Sequence, residues 1–239
     1  MIQTEGIFVG GRGASISAPI IGEDFNWTGG DGTYQVLDDG GGNWRIKFLS
    51  SGTFTPLKNM VIDVFLVGGG GGAGSSYCGA GGAGYTTTVR SVVLTANTAY
   101  SIVVGAAGTN GNPSSAGGET TAFTASAAGG KNTSNGTSSS KRPGGAGGSG
   151  GAGYVSPVAT TTGGTDGGDG TSSATTGGKG QGTTTREFGE ADGTLYASGG
   201  GSNLTATVSN SGNGGRNGIT SIEPADGIVV IRQHKEVAA

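Results

Sequence analysis

The chain predicts an all-β fold: an antiparallel strand frame or sandwich enclosing packed polyglycine-II helices and long ordered loops, with little or no α-helix. Three observations carry this. Short segments alternate apolar and polar residues or are apolar throughout, which is strand patterning. Glycine supplies 56 of 239 residues, and many of them recur with a period of three. Charged residues are only 12% of the chain, whereas disordered chains of low hydrophobicity usually carry high charge. With little side chain in the way, backbone can pack on backbone.

Residues 1–42 are mixed in composition, with turn pairs at Gly29-Gly30 and Asp39-Gly40, and read as a separate N-terminal segment. The glycine-rich β domain then spans 43–239, with a strand frame in 43–108 and 227–233. Trp44, Ile46 and Phe48 alternate with Arg45 and Lys47, giving a half-buried strand. Ile62–Val67 (IDVFLV) and Ile228–Ile231 (IVVI) are apolar at nearly every position, so both should be buried on two faces. They should also lie side by side, since each needs cover. Tyr85–Leu94 is rich in Thr and Val, and Tyr100, Ile102 and Val104 alternate again.

From 109 to 226 the chain becomes Gly, Ser, Thr, Asn and Ala with a few larger residues. A structureless linker of that length inside a compact domain is unusual, and the return to IVVI argues for order. Residues 144–153 (GGAGGSGGAG) and 79–84 (GAGGAG) repeat every third residue, as do Gly212, Gly215 and Gly218. A polyproline-II-type helix has three residues per turn and no internal hydrogen bonds, so neighbouring glycine helices must satisfy its N–H and C=O groups. Only 6 prolines and a broken period exclude collagen.

The chemistry-bearing motifs are weak. Gly68–Gly74 after IDVFLV has dinucleotide-fingerprint spacing, but SSYCGAGGAGYTTT cannot supply the helix that holds a pyrophosphate. Gly177-Gly178-Lys179-Gly180 lacks the Ser or Thr of a P-loop. Asp166 and Asp169 have calcium-loop flavour without enough oxygen ligands, and read as a solvated turn. His234 is the only histidine and reads as a solvated tail residue; Cys78 reads as an inert thiol. The carboxylate pairs Glu187/Glu190 and Asp166/Asp169 are the candidates for glycoside hydrolysis. Sequons at Asn26, Asn132, Asn135 and Asn203 are expected by chance in so Ser- and Thr-rich a chain. Net charge is −3 with no basic stripe, which disfavours nucleic acid. No apolar run is long enough to span a bilayer, and no secretory signal is seen. The reading is therefore of a non-enzyme without cofactor or metal.

The ordered succession FTPLKNMVIDVFLVGGGGGAG, GGAGYTTT, YSIVVGAAG and GIVVIR, with GQGTTTREFGEADGTLYASGGG between, resembles the glycine-rich domain of bacteriophage and prophage tail proteins across about 43–233. More loosely, the glycine-rich segments resemble those of adhesins at long tail-fibre tips, which pack as a sandwich of polyglycine helices. The resemblance implies a virion tail component that attaches to a bacterial surface receptor, either a glycan or an outer-surface protein, and contacts other tail proteins. A homotrimer is a candidate assembly, and residues 1–42 would be the attachment segment. Aromatics and arginine dominate binding hot spots, so Tyr77, Tyr154, Arg186, Phe188 and Tyr196 are the receptor-contact candidates; each aromatic could instead cap the glycine core. The competing readings are a purely structural virion component, a glycan depolymerase and an ice-binding protein. Thr160-Thr161-Thr162 and Thr183-Thr184-Thr185 are consecutive, not spaced by three as an ice-binding face would want.

Overall fold

The computed structural model describes residues 18–137, 142–154, 161–171, 176–216 and 221–234. Gly218, Thr160 and residues 1–17 lie outside these.

Among the described residues, ten strands form two antiparallel five-stranded sheets. They are β1 (Phe25–Trp27), β2 (Tyr34–Gly40), β3 (Asn43–Phe48), β4 (Gly52–Pro56), β5 (Met60–Val67), β6 (Thr86–Leu94), β7 (Tyr100–Val103), β8 (Thr120–Ala122), β9 (Ala125–Ala127) and β10 (Ile228–Gln233). One sheet has the order β1-β4-β7-β8-β9 and the other β2-β3-β10-β5-β6. Period two does what it predicts in β3, where Trp44, Ile46 and Phe48 are buried and Arg45 and Lys47 turn the other way. The core between the sheets holds Phe25, Ile46, Phe48, Phe54, Ile62, Val64, Leu66, Ile102, Val229 and Ile231.

The two apolar segments pair as expected. Strand β10 lies between β3 and β5, with Ile228 opposite Val67 and Gln233 opposite Ile62. Each sends alternate residues to opposite faces. Phe65 and Val67 of β5, with Ile228 and Val230 of β10, face away from the sandwich and pack on Phe188 and Tyr196. This outer face is why both segments are apolar at nearly every position.

Two expected boundaries shift. No break follows residue 42: β1 pairs with β4, β2 with β3, and Phe25 is fully buried in the core. Mixed composition there hid two short strands whose few aromatics complete the sandwich. The glycine region does not start at 109 either. The β8–β9 hairpin belongs to the first sheet, and the first glycine run begins at Gly68, directly after β5.

The glycine runs have threefold hydrogen bonding. In residues 80–85 the N–H groups of Ala80 and Ala83 donate to Ala152 and Ser149; those of Gly81 and Gly84 to Gly215 and Gly212; those of Gly82 and Tyr85 to Lys131 and Ala128. Every third donor thus meets the same neighbour, three residues earlier in an antiparallel run, as a three-residue-per-turn helix requires. The run from Gly68 repeats this: Gly68 and Gly71 donate to Tyr85 and Gly82, and Gly69 and Gly72 to Gly118 and Ser115. Closeness of approach fixes the residue type. A Cβ on Gly81 would lie 1.9 Å from the Gly71 oxygen, and one on Gly84 1.9 Å from the Gly68 oxygen.

Candidate functional site

The glycine runs leave the sandwich, turn and return. Gly68–Gly74 runs outward from β5 and 79–85 comes back into β6, so Ser75–Cys78 is a turn at the far end of the bundle. Several other turns meet it there. Gly74 bridges Gly111, the Asn135 side-chain oxygen accepts the N–H groups of Ser75 (2.6 Å) and Ser76 (3.4 Å), and Thr133 Oγ1 donates to Gly79 O. Asn132 Nδ2 donates to Ser114, whose hydroxyl donates to Thr133 O. The run ending at Tyr154 arrives beside them, and the Tyr77 and Tyr154 rings meet edge to face with centroids 5.7 Å apart. Tyr77 is 41% exposed, and Tyr154 half-buried.

Arg186, Phe188 and Tyr196 sit elsewhere, over the outer face of the β10–β5 sheet. Phe188 and Tyr196 are 2% and 6% exposed, so they are not available as receptor contacts. Their rings cover Phe65, with centroids 5.9 Å and 5.6 Å away, and Arg232 stacks on Phe188 at 4.1 Å. They cap the apolar part of the outer face that β5 and β10 leave uncovered. Arg186 pairs with Asp166 and donates to Gly193 O, which ties two loops together. Asp166 sits in an exposed turn, as expected, and accepts from Thr184, the Thr185 N–H and Arg186, which hold its carboxyl below the usual range. Asp169 accepts the Gly180 N–H.

Below the short 3₁₀ turn Glu187–Gly189 lies a cleft of about 260 Å³, lined by Arg45 and Arg232 and by Asp39, Glu187, Glu190 and Asp192. It brings Glu187 and Glu190 together at one cleft, but each carboxylate is already engaged. Arg45 donates to buried Glu187 at 2.6 Å with Lys47 at 3.7 Å, and Arg232 holds Glu190 at 2.7 Å. Tyr196 OH also faces Glu187, and burial together with that carboxylate pushes the phenol up.

His234 is not a solvated tail residue. Strand β10 continues past IVVI and carries it onto Asp63, a fully buried carboxylate on β5, at 2.6 Å from Nδ1. Asp63 also accepts from Arg232, Arg90 and the Ser91 N–H. Burial pushes this carboxyl up, but His234, the Ser91 N–H and Arg232 outweigh it and hold it below the usual range. Ser91 Oγ lies 3.1 Å from His234 Nε2, which has the look of a Ser-His-Asp set. The same oxygen is 3.5 Å from Nδ1. An oxygen on the in-plane axis of Nε2 would stand much farther from Nδ1, so the hydroxyl lies over the ring. Nucleophilic activation requires the Nε2 lone pair aimed at the hydroxyl. The cluster is built as a lock between β5, β6 and β10. Sequence reasoning missed it because its members are far apart in the chain and no local pattern joins them.

The remaining motifs resolve into backbone packing. Gly68–Gly74 leads into glycine runs, and Gly178 donates to Gly151 O within the bundle. Burial pushes the Cys78 thiol up, which disfavours the nucleophilic thiolate. Among the described residues no helix is long and apolar enough to cross a membrane, and no group of His, Cys, Asp or Glu is placed to hold a metal.

A family model described as a glycine-rich domain matches residues 49–232. No curated protein matches the chain.

Proposed function

Because the chain belongs to the glycine-rich domain family, we propose on that premise that it is a non-enzymatic receptor-binding component of a phage tail or tail-fibre tip. The glycine-rich framework belongs to the family match; phage origin, tail location and a bacterial surface partner rest on the resemblance of the sequence to tail proteins. One structural observation supports a binding role above the others. Turns from separate glycine runs gather at the end of the bundle remote from the sandwich, and they are held by backbone and Asn side-chain bonds. Loops on a rigid support are where proteins place binding residues. The runs beneath them make their contacts through backbone, so side chains in the turns can vary without disturbing the core. Tyr77 and Tyr154 are the contact candidates that remain at that end.

Several copies on a particle would add avidity to weak single contacts. Purified protein is expected to label host cells and to compete with particle adsorption, while releasing no sugar fragments from isolated envelopes. Fragment release abolished by Glu187→Gln or Glu190→Gln would replace this reading with a depolymerase. Absence of both labelling and competition would leave a structural virion component.

A further inference from the structure

Hydrogen bonding places each glycine run among its neighbours. The run 80–85 donates to segments at 128–131, 149–152 and 212–215 and accepts from 68–71, 145–148 and Gly200. Six segments surround it completely. Among the described residues, the run 128–133 bonds through its backbone to only four: 115–118, 68–72, 80–85 and 144–147. These four lie in succession around it. Gly69 and Gly72 donate to Gly118 and Ser115, Gly68 and Gly71 to Tyr85 and Gly82, and Gly145 to Ala80. The two unfilled directions are therefore adjacent, and they open on one outer face of the bundle. The next run, 144–147, has the same surroundings: it bonds to Lys131, Ala80, Gly151, Thr176 and Lys179. Lys131 N–H meets Ala146 O at 2.8 Å and Gly147 N–H meets Lys179 O at 3.0 Å, so 131, 146 and 179 stand at one level on three adjacent runs.

Residue type on these runs follows direction. Gly129, Gly130, Gly145, Gly147 and Gly178 are buried. A Cβ on Gly129 would lie 2.0 Å from Gly117 O, and one on Gly147 1.9 Å from Ala83 O. The outward positions recur every third residue: Ala128, Lys131 and Ser134, then Pro143 and the half-buried Ala146, then Thr176 and Lys179. None is glycine, although glycine supplies 56 of 239 residues. Bare glycine there would offer an incoming backbone the same close approach that the inner runs offer one another. A side chain holds that backbone beyond hydrogen-bonding distance. Lysine on exposed sheet edges blocks further pairing in the same way.

We propose that these outward side chains bar a second copy of this chain from docking its glycine bundle onto this face. The inference is independent of the receptor-binding reading. Another copy is the partner that fits, because its own face carries the same three-residue repeat and a twofold axis brings like face to like. The bar is steric first: Ala146 and Pro143 bring no charge, and Lys131 and Lys179 add repulsion between like faces.

The test removes the bar in the full-length protein. One variant changes Ala128, Lys131, Pro143, Ala146, Thr176 and Lys179 to glycine together; a milder one changes only Lys131, Ala146 and Lys179, the three at one level. The control, Lys131→Ser with Lys179→Ser, removes both charges and keeps every Cβ. Each is followed by sedimentation velocity over a range of concentrations and by amide hydrogen exchange, after a melting scan to identify the glycine variants that unfold cooperatively. A cooperatively melting glycine variant is expected to gain a species of about twice the mass of the unaltered protein's, growing with concentration. Amides in 128–134 and 144–147 should exchange more slowly in that species. The serine control should sediment as the unaltered protein does. A glycine variant that sediments like the unaltered protein overturns the proposal. So does a serine control that associates as strongly, which would make charge the whole barrier, and so does association that leaves exchange in the two runs unchanged. Loss of cooperative melting in both glycine variants also overturns it, because the outward side chains would then be needed by the fold itself.

Discussion

A valine at Gly148 would put its Cβ 2.2 Å from the carbonyl oxygen of Gly84 and 3.2 Å from the Ala197 methyl. The first neighbour is backbone in another glycine run and cannot turn aside. The runs must separate, and the Gly148 N–H bond to Ala83 O (3.0 Å) goes with them. Each buried group left unpaired costs about 1–3 kcal/mol. Gly148→Val is therefore expected to lower the melting temperature strongly, and calorimetry giving an unchanged transition would take Gly148 out of the packed bundle. Asp63 supplies a pH dependence. Its folded-state carboxyl is held below its ordinary value of about 3.9, so its contribution is present above that pH and is lost as pH falls through the lower folded value. Asp166 is depressed in the same sense and adds to the slope. Asp63→Asn leaves Arg232 with Glu190 as its carboxylate partner and weakens its bond to β5, and is expected to cost about 1–3 kcal/mol at neutral pH. It should also flatten the loss of stability below about pH 4. Urea titrations at several pH values measure both, and an acid limb as steep as in the unaltered protein would put the linkage in other groups.

At the scale of elements, β10 is a strand supplied by the end of the chain to the middle of a sheet. It separates β3 from β5, fills the sandwich core with Val229 and Ile231, and fills the outer face with Ile228 and Val230. Deleting residues 227–239 should expose apolar surface on both faces of β5 together with two new sheet edges. The truncated chain is expected in the insoluble fraction, and a soluble product with a cooperative melting transition would make the strand peripheral. This element was legible from IVVI and IDVFLV alone, because only burial on two faces calls for apolar residues in succession. What covers the second face was not legible. Phe188 and Tyr196 stand out in a glycine-rich stretch, and rarity suggested surface contacts; nothing local distinguishes an aromatic pointing outward from one folded back onto Phe65. His234 was misread for a related reason, since proximity to the chain end suggested solvent. Strands β1, β8 and β9 are three residues long, too short for a periodic pattern to declare itself, and in β2 the run YQVLDDG breaks alternation at Val36-Leu37 and ends in polar residues.

For the whole molecule the question is whether sandwich and glycine bundle unfold as one unit. The runs contain almost no side chain, so the area-based hydrophobic contribution that stabilises the sandwich is small there. Their order depends on satisfying each backbone group from a different neighbour. The run 80–85 illustrates the coupling: it donates to three other segments and accepts from Gly71, Gly145, Gly148 and Gly200. Releasing any one of these segments strands partners in several others, which makes partial opening costly and the bundle cooperative. The bundle is also joined to the sandwich by bonds, not only by chain. The Gly105 N–H donates to Thr120 Oγ1 on β8, and Gln181 bonds both the N–H and the hydroxyl of Thr86 at the start of β6. Amide hydrogen exchange is the suitable measurement, because it reads local opening free energy residue by residue. Gly81, Gly82, Ala83 and Gly84 are expected to exchange as slowly as Val64 and Leu66 on β5, with both sets moving together when denaturant or Gly148→Val lowers stability. Limited proteolysis should then spare the described runs 142–154 and 176–216 for as long as the sandwich survives. Rapid exchange throughout the glycine runs beside a protected β5 would instead make them a tether, and the turns at their far end would lose the rigid support on which a preorganised binding surface depends.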